Sequence, residues 1–209
     1  MAGHPIFSAI YDRFLAASEK AGLGEMRAEL LRSATGRTLE IGSGTGANLE
    51  HYPAAVTELV LTEPDPHMAK RLQAKLAASP PGVGGVEIAE VGAEALPFDD
   101  ASFDTVVSTL VFCTVSNPER AAAEARRVLK PGGRLLFIEH VRHEEGTKSA
   151  RWQDRLERPW GWISGGCHPN RATGLLLKEV FDEVDARSSE FPGSAPPVVK
   201  PMISGSARR

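Results

Sequence analysis

The stretch Thr38-Leu39-Glu40-Ile41-Gly42-Ser43-Gly44-Thr45-Gly46-Ala47-Asn48 decides the fold. A short apolar run, Thr38–Ile41, has strand character and ends in three glycines at alternate positions. Glycine there permits a tight turn and lets a ligand approach the backbone. The spacing predicts a helix from about Ala47, whose free N–H groups would face an anionic ligand. The same string satisfies the G-x-G-x-x-G/A dinucleotide pattern when Ala47 fills its last place.

Two carboxylates bear on that choice. Glu40 stands just before the glycines, where a pyrophosphate would be repelled and a cationic ligand attracted. S-adenosylmethionine carries an ammonium, a sulfonium and only one carboxylate, and it fits that position. Glu63, in Leu61-Thr62-Glu63-Pro64-Asp65-Pro66, closes the second strand and can accept hydrogen bonds from both ribose hydroxyls of an adenosine cofactor.

Outward from the loop, strands and helices alternate. Val56–Thr62, Val86–Val91, Phe103–Leu110 and Arg134–Ile138 read as strands; His67–Ala78 and Glu119–Leu129 read as helices. Phe103–Leu110 is apolar on both faces, as a central parallel strand should be. Asn117 before Pro118 reads as an N-cap with proline at the first helical position, and Lys130-Pro131-Gly132-Gly133 stops that helix. This alternation implies a parallel α/β sheet with right-handed crossovers.

Phe7, Ile10, Tyr11, Phe14 and Leu15 share a helical face, and Glu25–Arg32 is a second helical stretch. They predict an N-terminal helical cap, read here as a lid. Past His140 the alternation stops. Glu144–Gly166 is polar and holds Trp152, Trp160 and Trp162, read as walls of a pocket or packing for the cap. Arg171–Phe181 reads as the last helix. Val184–Ser189 and Val198–Gly205 read as closing strands. The expected organisation is one domain over 1–209, with the cap at 1–35, a cofactor-binding core at 36–140 and a substrate-side insertion with closing strands at 141–209.

Composition excludes several classes. With 24 basic and 27 acidic residues among 209, the net charge is −3, too little positive charge for a nucleic-acid partner. A hydrophobic share of 42% argues against a disordered chain. No apolar run approaches the length of about 20 residues that a membrane span needs. The N-terminal sequence has no signal-peptide pattern. Two cysteines without a C-x-x-C fit a reducing cytoplasm and neither a disulfide scaffold nor a zinc ribbon.

Three motifs carry a family likeness. Glu40–Gly46, Leu96–Asp104 and Arg127–Gly133 resemble, in order and spacing, class I S-adenosylmethionine-dependent methyltransferases. Flanking residues resemble the thiol methyltransferase family, the methyltransferase-like 7 proteins. These are Gly44–Asn48, Tyr52-Pro53, Ser108–Val115, Glu139-His140-Val141, Pro159-Trp160 and Gly166-Cys167 with Asn170-Arg171. The chain departs from membrane-associated members in having no hydrophobic N-terminal anchor. The resemblance implies a Rossmann-like fold, with a mainly parallel seven-stranded sheet, helices on both faces and the N-terminal cap. It implies S-adenosyl-L-methionine as cofactor, bound by Glu40, Gly42, Ser43, Gly44, Gly46, Asn48, Glu63, Pro64, Ala93, Glu94, Thr109 and Leu110. It also implies S-methylation of small thiols, with oxygen, nitrogen or carbon methylation of a small aromatic, quinone-like or lipid substrate as the alternative. An NAD-dependent oxidoreductase, disfavoured by Glu40, and a non-catalytic adenosyl-ligand sensor are the readings from other classes.

A thiol with a pKa near 8.5 needs little help from a base. His140, at the end of the fifth strand, is the candidate catalytic residue. His140, His143, Glu144 and Glu145 lack a convincing third metal ligand, so no metal is expected. Cys113 reads as a buried small hydrophobe, and Cys167-His168 as a loop rather than a reactive pair.

Overall fold

The computed structural model describes residues 16–209; the part of the predicted cap from Phe7 to Leu15 lies outside the described residues. Seven strands form one sheet: β1 Gly36–Ile41, β2 Val56–Thr62, β3 Val86–Ala89, β4 Phe103–Thr109, β5 Leu129–His140, β6 Glu183–Glu190 and β7 Pro201–Arg208. Their order is β3-β2-β1-β4-β5-β7-β6. The pairs among β1 to β5 are parallel, whereas β7 runs antiparallel to both β5 and β6. The order reverses between β1 and β4, and ligands of such sheets bind outside the carboxyl ends at that switch point. Glu40 stands there, level with Leu61 of β2 and Val107 of β4.

The core explains why the inner strands read as apolar runs. Leu39, Val60, Phe103, Val106, Val107, Leu135 and Phe137 are fully buried, because helices cover both faces. The helices are α1 Gly24–Leu31, α2 Pro66–Ala78, α3 Pro118–Val128, α4 Lys148–Ile163 and α5 Thr173–Val180. Asp65 caps α2 by accepting from the His67 and Met68 amides, with Pro66 in the first turn. Asn117 caps α3 as expected, its side-chain oxygen 2.8 Å from the Arg120 amide.

Four expectations need correction. No regular helix follows the glycine loop, only a 3-10 turn at Leu49–His51. Pro53 holds Tyr52 in extended backbone and stops the turn. Second, Glu144–Gly166, read as polar and given no helix, holds one: Thr147 caps α4 by accepting from the Ala150 amide at 3.1 Å, and the helix tolerates Pro159 within it. Third, Trp152 and Trp162 of α4 wall no interior pocket, being 55% and 90% exposed. Fourth, Val198 and Val199 lie in a 3-10 turn, and the last strand begins at Pro201. The described part of the cap packs on the sheet: Leu31 joins Leu59 and Leu61, and Leu23 joins Ile138, Phe191 and Met202.

Candidate functional site

The glycine loop turns by left-handed backbone, with φ of +61° at Gly42 and +56° at Gly44. A Cβ on Gly42 would stand 2.8 Å from the Val111 side chain, so this position is closed to other residues by space as well as by angle. The loop is tied to strand β2 by the Ser43 amide, which donates to the Thr62 carbonyl at 2.8 Å. Glu63 completes the tie. Its carboxylate accepts from the Gly44 amide at 2.8 Å and the Asp65 amide at 2.9 Å. Burial raises its pKa, and those two amides partly oppose the rise.

Beneath the loop lies a buried polar network. Asn48 donates to one Glu40 oxygen at 2.9 Å, and the Tyr52 hydroxyl donates to the other at 2.6 Å. Arg27 of α1 is only 3% exposed. It donates to the Asn48 side-chain oxygen at 3.0 Å and to the Thr109 hydroxyl at 2.8 Å, and it pairs with Glu19 at 3.1 Å. Asn48 also donates to Thr109 at 3.1 Å. Burial pushes the Glu40 carboxyl up to about 7, against the Tyr52 and Asn48 hydrogen bonds and the Arg27 charge. A second cation beside Glu40 would restore the carboxylate.

The structure thus brings Glu40, Asn48 and Thr109 into one network, with Gly42, Ser43, Gly44 and Glu63 above it. Gly46 shares the loop, at φ +84°. Pro64 is exposed beside Glu63, and Ala93 is buried. Glu94 is engaged elsewhere: one oxygen accepts from the Ser116 amide at 2.8 Å, at the approach to α3. Leu110 adopts φ +61°, an unusual angle for a residue with a side chain. Sequence reading missed Arg27, which looks like any charged residue of a helix. It also missed the partners of Glu139. That buried carboxylate accepts from the Ser108 hydroxyl and from the amides of Val111, Phe112 and Cys113, at 2.9 to 3.3 Å. Burial raises the Glu139 pKa to about 7 in spite of these donors.

His140 is buried, and its Nε2 lies 2.8 Å from the Cys167 sulfur. Its Nδ1 has no hydrogen-bond partner among the described residues, so sulfur is the polar contact that orients the ring. The Trp160 indole N–H also donates to Cys167, at 3.3 Å. The Cys113 thiol faces Cys167 as well; its hydrogen bond, with that of His140, holds the Cys167 thiol well below the usual thiol range. The reverse pull and burial push the Cys113 thiol up. His168, next in sequence to Cys167, bonds Glu157 at 2.8 Å instead. His143 bonds the Pro197 carbonyl at 3.2 Å and stands apart from this cluster.

The chain matches the family described as methyltransferase domain over residues 39–137. It is 38% identical over 170 residues to the rat thiol S-methyltransferase TMT1B, covering 81% of this chain and 69% of the rat protein. It is 31% identical over 202 residues to human thiol S-methyltransferase TMT1A, covering 96% of this chain and 82% of the human one. Among solved structures, a methyltransferase from Thermotoga maritima superposes with a TM-score of 0.69 at 24% identity, covering 98% of this chain and 97% of that chain. The strand order, the glycine loop at the switch point and these matches lead to one conclusion: the chain belongs to the class I S-adenosylmethionine-dependent methyltransferases, in the family that includes the thiol S-methyltransferases TMT1A and TMT1B.

Proposed function

We propose that the enzyme methylates the sulfur of small thiols in the cytoplasm. The observation that carries this reading is the 38% identity to a thiol S-methyltransferase across 81% of the chain. When bound, S-adenosylmethionine supplies an electrophilic methyl group on its sulfonium. The chain's own residues fit that cofactor. The loop turns by left-handed backbone at Gly42 and Gly44, and the Glu40 carboxyl, raised to about 7 by burial, suits an ammonium. Glu63 would accept from the ribose hydroxyls, since each of its oxygens keeps a lone pair beyond its amide bond. Pro64 and Ala93 would flank the adenine, and Ser43, Gly46 and Leu110 would shape the wall around the donor. Arg27 acts as a positioning residue, since it holds Asn48 and Thr109 in place.

The acceptor side lies past β4 and β5, in the sections containing Cys113, His140 and Cys167. Methyl transfer to a thiolate would be an in-line displacement, and this side of the chain would hold the acceptor sulfur in line with the methyl group. Alignment and exclusion of water supply most of the rate, up to about 7–11 kcal/mol in ideal cases. His140 serves this side, and His140→Ala should slow turnover without abolishing it. The small negative net charge supports a small-molecule acceptor over nucleic acid.

The test is a panel of matched thiols, phenols and amines with labelled methyl donor. Thiols should lead, and the rising pH limb should follow each thiol's own pKa. A phenol or amine that outruns every thiol would replace this reading with the O-, N- or C-methyltransferase alternative.

A further inference from the structure

Three donors from separate segments meet on the acceptor side: the Cys113 and Cys167 sulfurs and an imidazole nitrogen of His140. They come from the loop after β4, the end of β5 and the loop after α4. All three residues are buried, and the donor atoms all lie within 4.8 Å of one another. We propose that Cys113, His140 and Cys167 form a three-ligand site for Zn²⁺, with the fourth tetrahedral position open to the acceptor thiol.

The dimensions agree. Tetrahedral zinc at about 2.3 Å from sulfur and about 2.0 Å from nitrogen needs edges near 3.8 Å between sulfurs and near 3.5 Å between sulfur and nitrogen. The present spread brackets those edges, and the 2.8 Å His140–Cys167 contact would open by under about 1 Å. The donor set is chemically matched, because two thiolates and an imidazole select a thiophilic borderline cation over Mg²⁺ or Ca²⁺. The surroundings are those of a metal-bound sulfur: the Trp160 N–H already points at Cys167. Three protein ligands with one open position is the arrangement of catalytic zinc.

Charge favours a thiol in that position. Zn²⁺ with two thiolates is neutral, and an incoming thiol loses its S–H proton to water as the zinc–sulfur bond forms. The centre then carries −1. The half-buried Arg171, whose guanidinium bonds the Phe112 carbonyl and feels both cysteines, offsets that charge. The site lies next to the glycine loop. Cys113 shares the Glu139 carboxylate with Val111, whose side chain closes over Gly42. The fourth-ligand role rests on the thiol reading given above; the three-ligand site does not.

Co²⁺ and Zn²⁺ are the probes, added to the full chain under a phosphine reductant. The expected result is one equivalent of tightly bound metal, a sulfur-to-cobalt charge-transfer band, and displacement of Co²⁺ by Zn²⁺. Adding ethanethiol should raise that band by about half, as two thiolates become three. Cys113→Ser and Cys167→Ser should each lose at least tenfold in affinity, with thermal melts checking that the variants fold. Should a variant fail to fold, protection of both thiols from alkylation by Zn²⁺ in the unmodified chain reads the same ligands. Absence of metal uptake at micromolar Zn²⁺, uptake unchanged by the serine variants, or a band indifferent to ethanethiol would overturn the proposal. None of these readouts requires turnover, so a panel in which phenols win would fell the thiol reading while the metal measurement stands on its own.

Discussion

Glu40 makes cofactor affinity depend on pH in a way that can be worked out from the structure. Its carboxyl is completely buried and titrates at about 7, with burial as the main cause. In the ligand-free protein at pH 5.5 it is therefore mostly protonated, 1.5 units below its midpoint. A ligand ammonium beside it requires the anion. The ammonium and carboxylate of S-adenosylhomocysteine do not titrate between pH 5.5 and 8, so the change belongs to the protein. Affinity should fall tenfold per unit below pH 7, reaching about 30-fold at pH 5.5, or roughly 2 kcal/mol. The sign for stability is opposite. A carboxyl whose folded pKa is raised stabilises the fold fully below about 4.5 and loses that contribution as pH rises through about 7. The free protein should thus become less stable over the interval in which the complex becomes tighter. Isothermal titration of S-adenosylhomocysteine from pH 5.5 to 8, with melts in parallel, tests both limbs. Glu40→Gln should bind weakly and lose the slope. A dissociation constant that stays flat for the unmodified chain, or an equal slope in Glu40→Gln, would refute the assignment of the ammonium to Glu40.

Glu63→Ala removes the acceptor of the Gly44 and Asp65 amides and should weaken S-adenosylhomocysteine binding more than tenfold, since bonds to a charged acceptor contribute about 1.5–3 kcal/mol each. Titration calorimetry reads it, and an unchanged dissociation constant removes Glu63 from the site. Leu110→Val places a β-branched residue at φ +61° and should destabilise the chain by about 1–2 kcal/mol in urea unfolding; an unchanged midpoint would show that the loop relaxes freely. Gln153 is completely buried, and its amide donates to the carbonyls of Val141, Pro169 and Val198 while accepting from the His143 amide. Gln153→Leu should cost about 3 kcal/mol or more by stranding those groups, and a thermal melt within 2 °C of the unmodified chain would contradict it.

Sequence carried the fold wherever a local pattern had a single physical cause. The inner strands were legible because burial on both faces demands apolar runs, and α3 was legible because Asn117 and Pro118 encode its start. The helix expected after the glycine loop failed because glycine spacing alone does not encode a helix, and Pro53 ends the turn after one cycle. Helix α4 was hidden by its composition. Its buried residues are Ala150 and Gln153, its tryptophans at 152 and 162 face outward, and Pro159 breaks the pattern. In the site, Glu40, Glu63 and the glycines announced themselves by order along the chain. Arg27 and Asn48 are 21 residues apart, and His140 and Cys167 are 27 apart. Such pairs exist only after the sheet has brought their segments together, so no local spacing encodes them.

Two buried carboxylates at strand ends, Glu40 on β1 and Glu139 on β5, tie together the loops at the carboxyl edge of the sheet. Glu40 organises side chains: Asn48, Tyr52 and, through Asn48 and Thr109, Arg27 from the cap. Glu139 organises backbone. Three successive amides, from Val111 to Cys113, converge on its oxygens, and such convergence requires the chain to turn sharply after β4. The turn is what holds Leu110 in a left-handed conformation that its side chain disfavours, at a cost that the Glu139 bonds offset. It also sets Val111 against Gly42 and delivers Cys113 to Cys167 and His140. Thr109, one residue before the turn, belongs to the Glu40 network. The segment Thr109–Cys113 therefore touches the Glu40 network at one end and the sulfur cluster at the other. A shift of that segment must move both.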